Sequence, residues 1–144
     1  MRCSRRLLGL LLLCLGAAAC GGPTSRLVTV RSGTGSGDVF LEVKNTTDTP
    51  VNALYLARTE AVNAADPERL DGDSMAGQMV WGADQLTTSA IGSGQRLRIP
   101  VASPGRWDVR VVGRDEREQH VTGLKLEAGG RYLLELNEGG WRAR

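Results

Sequence analysis

Thiols are missing from most of this chain: Cys3, Cys14 and Cys20, its three cysteines, all fall within the first 20 of 144 residues. Beyond that point disulfides, thiolate catalysis and cysteine metal sites are excluded, so a domain there is held by its core alone. Aromatic side chains are scarce too, with one Phe, two Tyr and three Trp; each Trp is a large share of whatever core can be built. His120 is the only histidine. A Ser-His-Asp or histidine–metal site needs partners in a set geometry, and the chain has no HExxH, CxxC or GxSxG spacing to supply them. Gly92-Ser93-Gly94 lacks the lysine and following helix of a phosphate loop. No catalytic residue and no cofactor is expected.

Long apolar runs are lacking as well. The one candidate, residues 7–19, has 13 residues, short of the ~20 that span a bilayer as a helix. Arg2, Arg5 and Arg6 precede it and Ala17-Ala18-Ala19 close it, the order of charged, apolar and small residues that marks an export signal. The run Leu15-Gly16-Ala17-Ala18-Ala19-Cys20-Gly21 resembles the lipobox of a bacterial lipoprotein. That resemblance implies cleavage before Cys20, a diacylglyceryl group on its thiol, and anchorage in a membrane. Two or three chains contribute ~0.8 kcal/mol per buried methylene, which makes release negligible. Gly21 and Gly22 follow, with no Asp to signal inner-membrane retention, so the resemblance favours the outer membrane facing the periplasm. A soluble periplasmic or secreted protein is the alternative.

Removing Arg2, Arg5 and Arg6 leaves 15 Lys and Arg against 16 Asp and Glu, a charge near −1. No basic excess remains to bind nucleic acid. Residues 20–37 hold Gly-Gly-Pro and a Ser-Gly-Thr-Gly-Ser-Gly stretch around Leu27-Val28-Thr29-Val30, which reads as a tether containing one edge strand. From residue 38 the period is two: Val39, Leu41 and Val43 alternate with Phe40, Glu42 and Lys44, and residues 51–58 resume after the turn cluster 45–50, which suggests a hairpin. Residues 59–80 break the pattern and imply a long loop, with one helical turn at Asp66-Pro67-Glu68-Arg69-Leu70. Alternation returns at residues 97–101, 107–112, 120–126 and 131–137. About seven short strands between turn signals predict an all-β fold, a single antiparallel sandwich, Ig-like or transthyretin-like, over residues 38–138. Residues 139–144 read as a flexible tail.

Asn45-Thr46-Thr47, Leu54-Tyr55-Leu56, Trp81-Gly82-Ala83-Asp84-Gln85-Leu86, a strand led by Gly94, and Asp108-Val109-Arg110-Val111-Val112 follow in that order. In this order the chain resembles a family of small exported bacterial β-sandwich domains, uncharacterised in their biochemistry, over about residues 39–136. The resemblance implies the architecture and carries no activity.

Trp81, Asp84, Asp108 and Arg110 are the candidate contacts for a partner or ligand. Trp81 on a long loop suits an aromatic anchor with Asp84 at its rim; the favoured reading is that Trp81 plugs one end of the sandwich while Asp84 caps a short helical turn containing Gln85 and Leu86. Asp108 and Arg110 share a strand face, which in most sandwiches is simply the wet outer side. Asp66, Glu68, Asp71 and Asp73 gather carboxylates on a loop, and Asp71 and Asp73 are weak Ca²⁺ candidates, since the spacing departs from the EF-hand pattern. The function expected is that of a lipid-anchored, non-enzymatic interaction or accessory module of the cell envelope with a protein partner. The alternative is a lipoprotein that binds a small molecule, a glycan or Ca²⁺ through residues 59–86.

Overall fold

Alternating apolar residues build the frame. The computed structural model describes residues 22–70, 74–87 and 89–144; the leader, Cys20, Asp71 and Asp73 lie outside them. Its strands are β1 (Arg26–Arg31), β2 (Val39–Asn45), β3 (Val51–Arg58), β4 (Arg96–Val101), β5 (Gly105–Gly113), β6 (Glu118–Leu126) and β7 (Arg131–Leu136). They form two sheets, ordered β1-β7-β2-β4 and β3-β5-β6. Between the sheets lie Leu41, Val43, Leu54, Val109, Val111, Leu134 and Leu136, all buried. This is the expected all-β sandwich.

Its connectivity differs from the expectation in two respects. First, β2 and β7 run parallel, with Phe40 opposite Arg131 and Asn45 opposite Leu136, so the larger sheet is mixed. No turn joins these strands, and their relative direction is set by the ends at which each enters the sheet. Second, β2 and β3 are not a hairpin. β2 pairs with β4 and β7 while β3 pairs with β5, so residues 45–50 cross from one sheet to the other. Buried Asn45 organises that crossing: its Nδ2 donates to the carbonyls of Thr49 and Ile91, both at 2.9 Å. Its Oδ1 accepts from the amide and hydroxyl of Thr47 at 3.0 and 2.7 Å. A local strand pattern cannot report such a crossing, because a corner and a hairpin use the same turn residues.

Residues 22–31 and 139–142 are docked where a tether and a free tail were expected. β1 pairs with β7 from Arg26 opposite Glu135 onward, so the sandwich begins well before residue 38. At the other end, Trp141 is buried in the main core, and Arg142 exchanges two backbone hydrogen bonds with Glu118. Gly139-Gly140 permits close approach here: a methyl at Gly139 would overlap the carbonyl oxygen of Gly22.

Residues 59–70 and 74–81 carry a helical layer where a long loop was expected, with the expected helical turn present at Pro67–Leu70. Helix α1 (Thr59–Ala64), a 3-10 turn (Pro67–Leu70) and helix α2 (Met75–Trp81) cover the outer face of β3-β5-β6, with Val62 and Trp81 packed against Ala57 and half-buried Tyr55. Ser74 caps α2 by accepting from the Gly77 amide at 2.9 Å, and Gly82 ends it at φ 72°. Helices of six and seven residues are too short to stand without such packing.

Candidate functional site

The chemistry-bearing side chains meet beneath that helical layer. A β-bulge places them: on β5–β6, Trp107 pairs with Leu124 and Val109 with Val121, so β6 spends one extra residue where β5 spends none. Gly123, at φ 67°, takes up the distortion, and its amide, released from the ladder, donates to Asp108 Oδ1 at 2.8 Å. The same oxygen accepts from the hydroxyl of Thr59, the first residue of α1, at 2.7 Å. Asp108 Oδ2 faces His120 Nε2 at 3.3 Å. At 1% exposure the carboxyl group thus accepts from two donors and stands beside the imidazole, as a buried polar group is expected to be partnered.

Cross-strand register continues the row. Arg110 stands opposite Tyr55 on one side and His120 on the other. Its guanidinium reaches Glu118 Oε2 through Nη2 at 2.7 Å and Nε at 2.9 Å, and lies 5.6 Å from the Tyr55 ring centre. Trp81 closes the cluster from above, edge-on to His120 with ring centres 5.0 Å apart, its indole N–H donating to the Leu70 carbonyl at 3.3 Å. The Thr59 hydroxyl is bonded to the carboxylate and not to the imidazole. The order of nucleophile, base and orienting acid found in a hydrolytic triad is therefore not the order seen.

These positions revise the reading of Asp108 and Arg110 as a wet stripe. Both are buried, because the helices cover the face on which they lie. Trp81, 1% exposed, neither plugs an end of the sandwich nor offers a free aromatic surface; it fastens the helical layer to the sheet. Asp84 caps no helical turn, since none follows it directly among the described residues; its Oδ1 accepts from the amides of Leu86 and Leu54, each at 2.9 Å, tying the segment after α2 to β3. Three of the four candidates thus converge on one polar patch and its cover, with Asp84 beside them. Thr59, Glu118 and Gly123 belong to the same patch and were not singled out from sequence. The signal that could have found Gly123 is a lone glycine inside a strand pattern, which marks a bulge.

Several surfaces remain open around this mount, among them a groove of about 340 Å³ lined by His120, Gln119, Thr24 and Arg142. On α2, Met75 and Met79 are 81% and 84% exposed, one turn apart, and Met79 lines a shallow groove of about 270 Å³ with Ala61, Ala64, Ala65, Ala76 and Val80. At the end of the sandwich where β5 begins, a wider groove of about 690 Å³ is lined by Gly35, Glu60, Pro104, Arg106, Lys125 and Ala128 among others. Among the described residues no three His, Cys, Asp or Glu side chains gather as a metal site. No helix among them is long and apolar enough to cross a membrane. No family model, no curated protein and no solved structure matches this chain.

Proposed function

We propose that this chain is a lipid-anchored, non-enzymatic interaction or accessory module of the bacterial cell envelope, held through Cys20 in the outer membrane and facing the periplasm. The leader and its lipobox-like end support the anchor. One structural observation carries the interaction role: two exposed methionines project from α2, which is fastened to the sheet by buried Trp81 beside α1, itself held by Val62 and by the Thr59–Asp108 bond. Exposed methionine beside a groove of alanines suits a partner's apolar side chains, since the thioether is polarizable and adapts its shape. A rigid mount lowers the ordering cost of binding.

The test places a photo-crosslinking residue at position 75 or 79 and, as a control, at exposed Arg26 in growing cells. The expected result is one discrete adduct from the helix positions, absent from the control and lost on Met79→Ser in the 75-labelled protein. The same ladder of adducts from both sites, or none, rejects the interaction role. Intact mass of native protein tests the anchor separately, by the presence of acyl chains on a mature chain beginning at Cys20.

The wider groove favours a second reading, as a ligand-binding lipoprotein. Glu60 from the 59–86 segment forms one wall, and apolar Pro104, Leu126 and Ala128 stand beside charged Arg106, Lys125 and Glu127, the mixture that small-molecule sites use. A thermal-shift screen separates the readings, because a ligand raises the midpoint by linkage.

A further inference from the structure

We infer that the end of the sandwich where β1 begins and β7 finishes rests on the lipid headgroups that surround the Cys20 acyl chains, and that the domain is held there in one orientation by a stem too short to let it turn. This rests on the lipidation reading above.

The stem is short because the structure uses it up. Gly22 stands two peptide steps beyond Cys20, a reach of about 7 Å at full extension. From there the chain is already bound to the domain. The Pro23 carbonyl accepts from the Gly139 amide at 3.2 Å, and the Thr24 carbonyl accepts from Asn137 Nδ2 at 2.9 Å. The Ser25 hydroxyl accepts from the Asn137 amide at 3.0 Å and donates to buried Gln119 Oε1. Gln119 in turn donates to the Asn137 carbonyl at 3.0 Å. The headgroup layer is roughly 5–7 Å deep on each side of a bilayer. A 7 Å reach therefore ends at its outer boundary, and the surface around Gly22 meets the headgroups.

That surface suits them. Apart from exposed Pro23, its exposed residues Thr46, Asp48, Asp115, Glu138 and Arg142 are polar, and none of the exposed large apolar side chains of the described residues, Val30, Met75 and Met79, is among them. It lies on headgroups and does not enter hydrocarbon. Charges of both signs occur there, Arg117 paired with Asp115 at 2.6 Å and with Glu138 at 3.3 Å and Asp48 and Arg142 exposed beside them, so neither sign prevails among these residues and the orientation owes little to anionic lipid or to salt. The opposite end is carried away from the membrane: across the nine residues of β5, Gly105 sits roughly 26 Å from Gly113 at ~3.3 Å per residue. The groove beside Gly105 then opens toward the periplasm.

The absence of cysteine after Cys20 makes the test clean. Full lipidated protein carrying Asp48→Cys or Glu60→Cys, labelled with bimane, is reconstituted in phosphatidylcholine vesicles bearing a nitroxide on the headgroup. Quenching is expected to be several-fold stronger at position 48 than at 60 and unchanged by high salt. Two changes are expected to abolish the difference: Gly139→Ala, which displaces Gly22, and an insertion of about ten Gly and Ser residues between Gly21 and Gly22, which adds a span of about 17 Å. The insertion alters no docked residue, so it decides the matter if Gly139→Ala folds poorly. Equal quenching at both positions in protein whose intact mass includes the acyl chains overturns the fixed orientation while leaving the anchor in place. A difference that persists through the insertion overturns the stem as its cause. A mass without acyl chains removes the anchor and the orientation with it.

Discussion

Trp81→Ala tests the claim that one side chain fastens the helical layer to the sheet. The indole is 1% exposed, its N–H is bonded to the Leu70 carbonyl, and its edge meets His120. Removing a buried Trp costs about 3–5 kcal/mol, a large part of the 5–15 kcal/mol, roughly, that holds a domain of this size. The loss has a definite location. Trp81, Val62 and Ala57 form a cluster apart from the core between the sheets, so the variant should keep its sandwich and open at α1 and α2. Hydrogen exchange reads this directly. The amides of Gln78 and Gly82, bonded to the carbonyls of Ser74 and Gln78, should exchange on the order of 10²-fold faster, the equivalent of about 3 kcal/mol. Amides of Leu41 and Val109 in the main core should slow or quicken far less. Met75→Ser and Met79→Ser, at exposed positions, should shift stability by no more than about 0.5 kcal/mol while abolishing the crosslinked adduct. If Trp81→Ala changes neither urea midpoint nor exchange at α2, the mount is not where the structure puts it. If exchange rises uniformly across both sheets, the helices are not a separable layer.

Asn45→Ala should orphan the Thr47 amide at a cost of about 1–3 kcal/mol, visible as a lower urea midpoint with unchanged slope; an unchanged midpoint would mean that the crossing between sheets does not need it. Asp115 is expected to titrate below the ordinary carboxylate range, chiefly because Arg117 Nε donates to it at 2.6 Å. Since its folded value is depressed, its contribution is present above the unfolded value of about 3.9 and is lost as pH falls through the folded one. An NMR titration that finds Asp115 at the ordinary value, or one unmoved by Arg117→Gln, contradicts this. Trp141 is buried with its indole N–H lacking a hydrogen-bond partner among the described residues. Trp141→Phe should therefore cost less than the about 3–5 kcal/mol of Trp141→Ala, the difference set by the smaller cavity it leaves, and calorimetric midpoints would show the ordering.

By itself the sequence determined the strands and which of their sides face inward. Val39, Leu41 and Val43, then Leu97, Ile99 and Val101, then Trp107, Val109 and Val111, sit at a spacing of two. That spacing is a local property of an extended chain and survives any arrangement of the sheets. The parallel pairing of β2 with β7, the crossing at Asn45 and the docking of residues 22–31 and 139–142 were decided only by tertiary structure, since each joins residues far apart in the chain. Gly139-Gly140 shows the limit most plainly: the same two residues signify freedom in an isolated segment and close contact once Gly22 and Gln119 lie against them. The patch at Asp108 was hidden for the same reason. Its residues come from β5, β6 and α1, and whether a carboxylate on a strand is wet or buried depends on what folds over it.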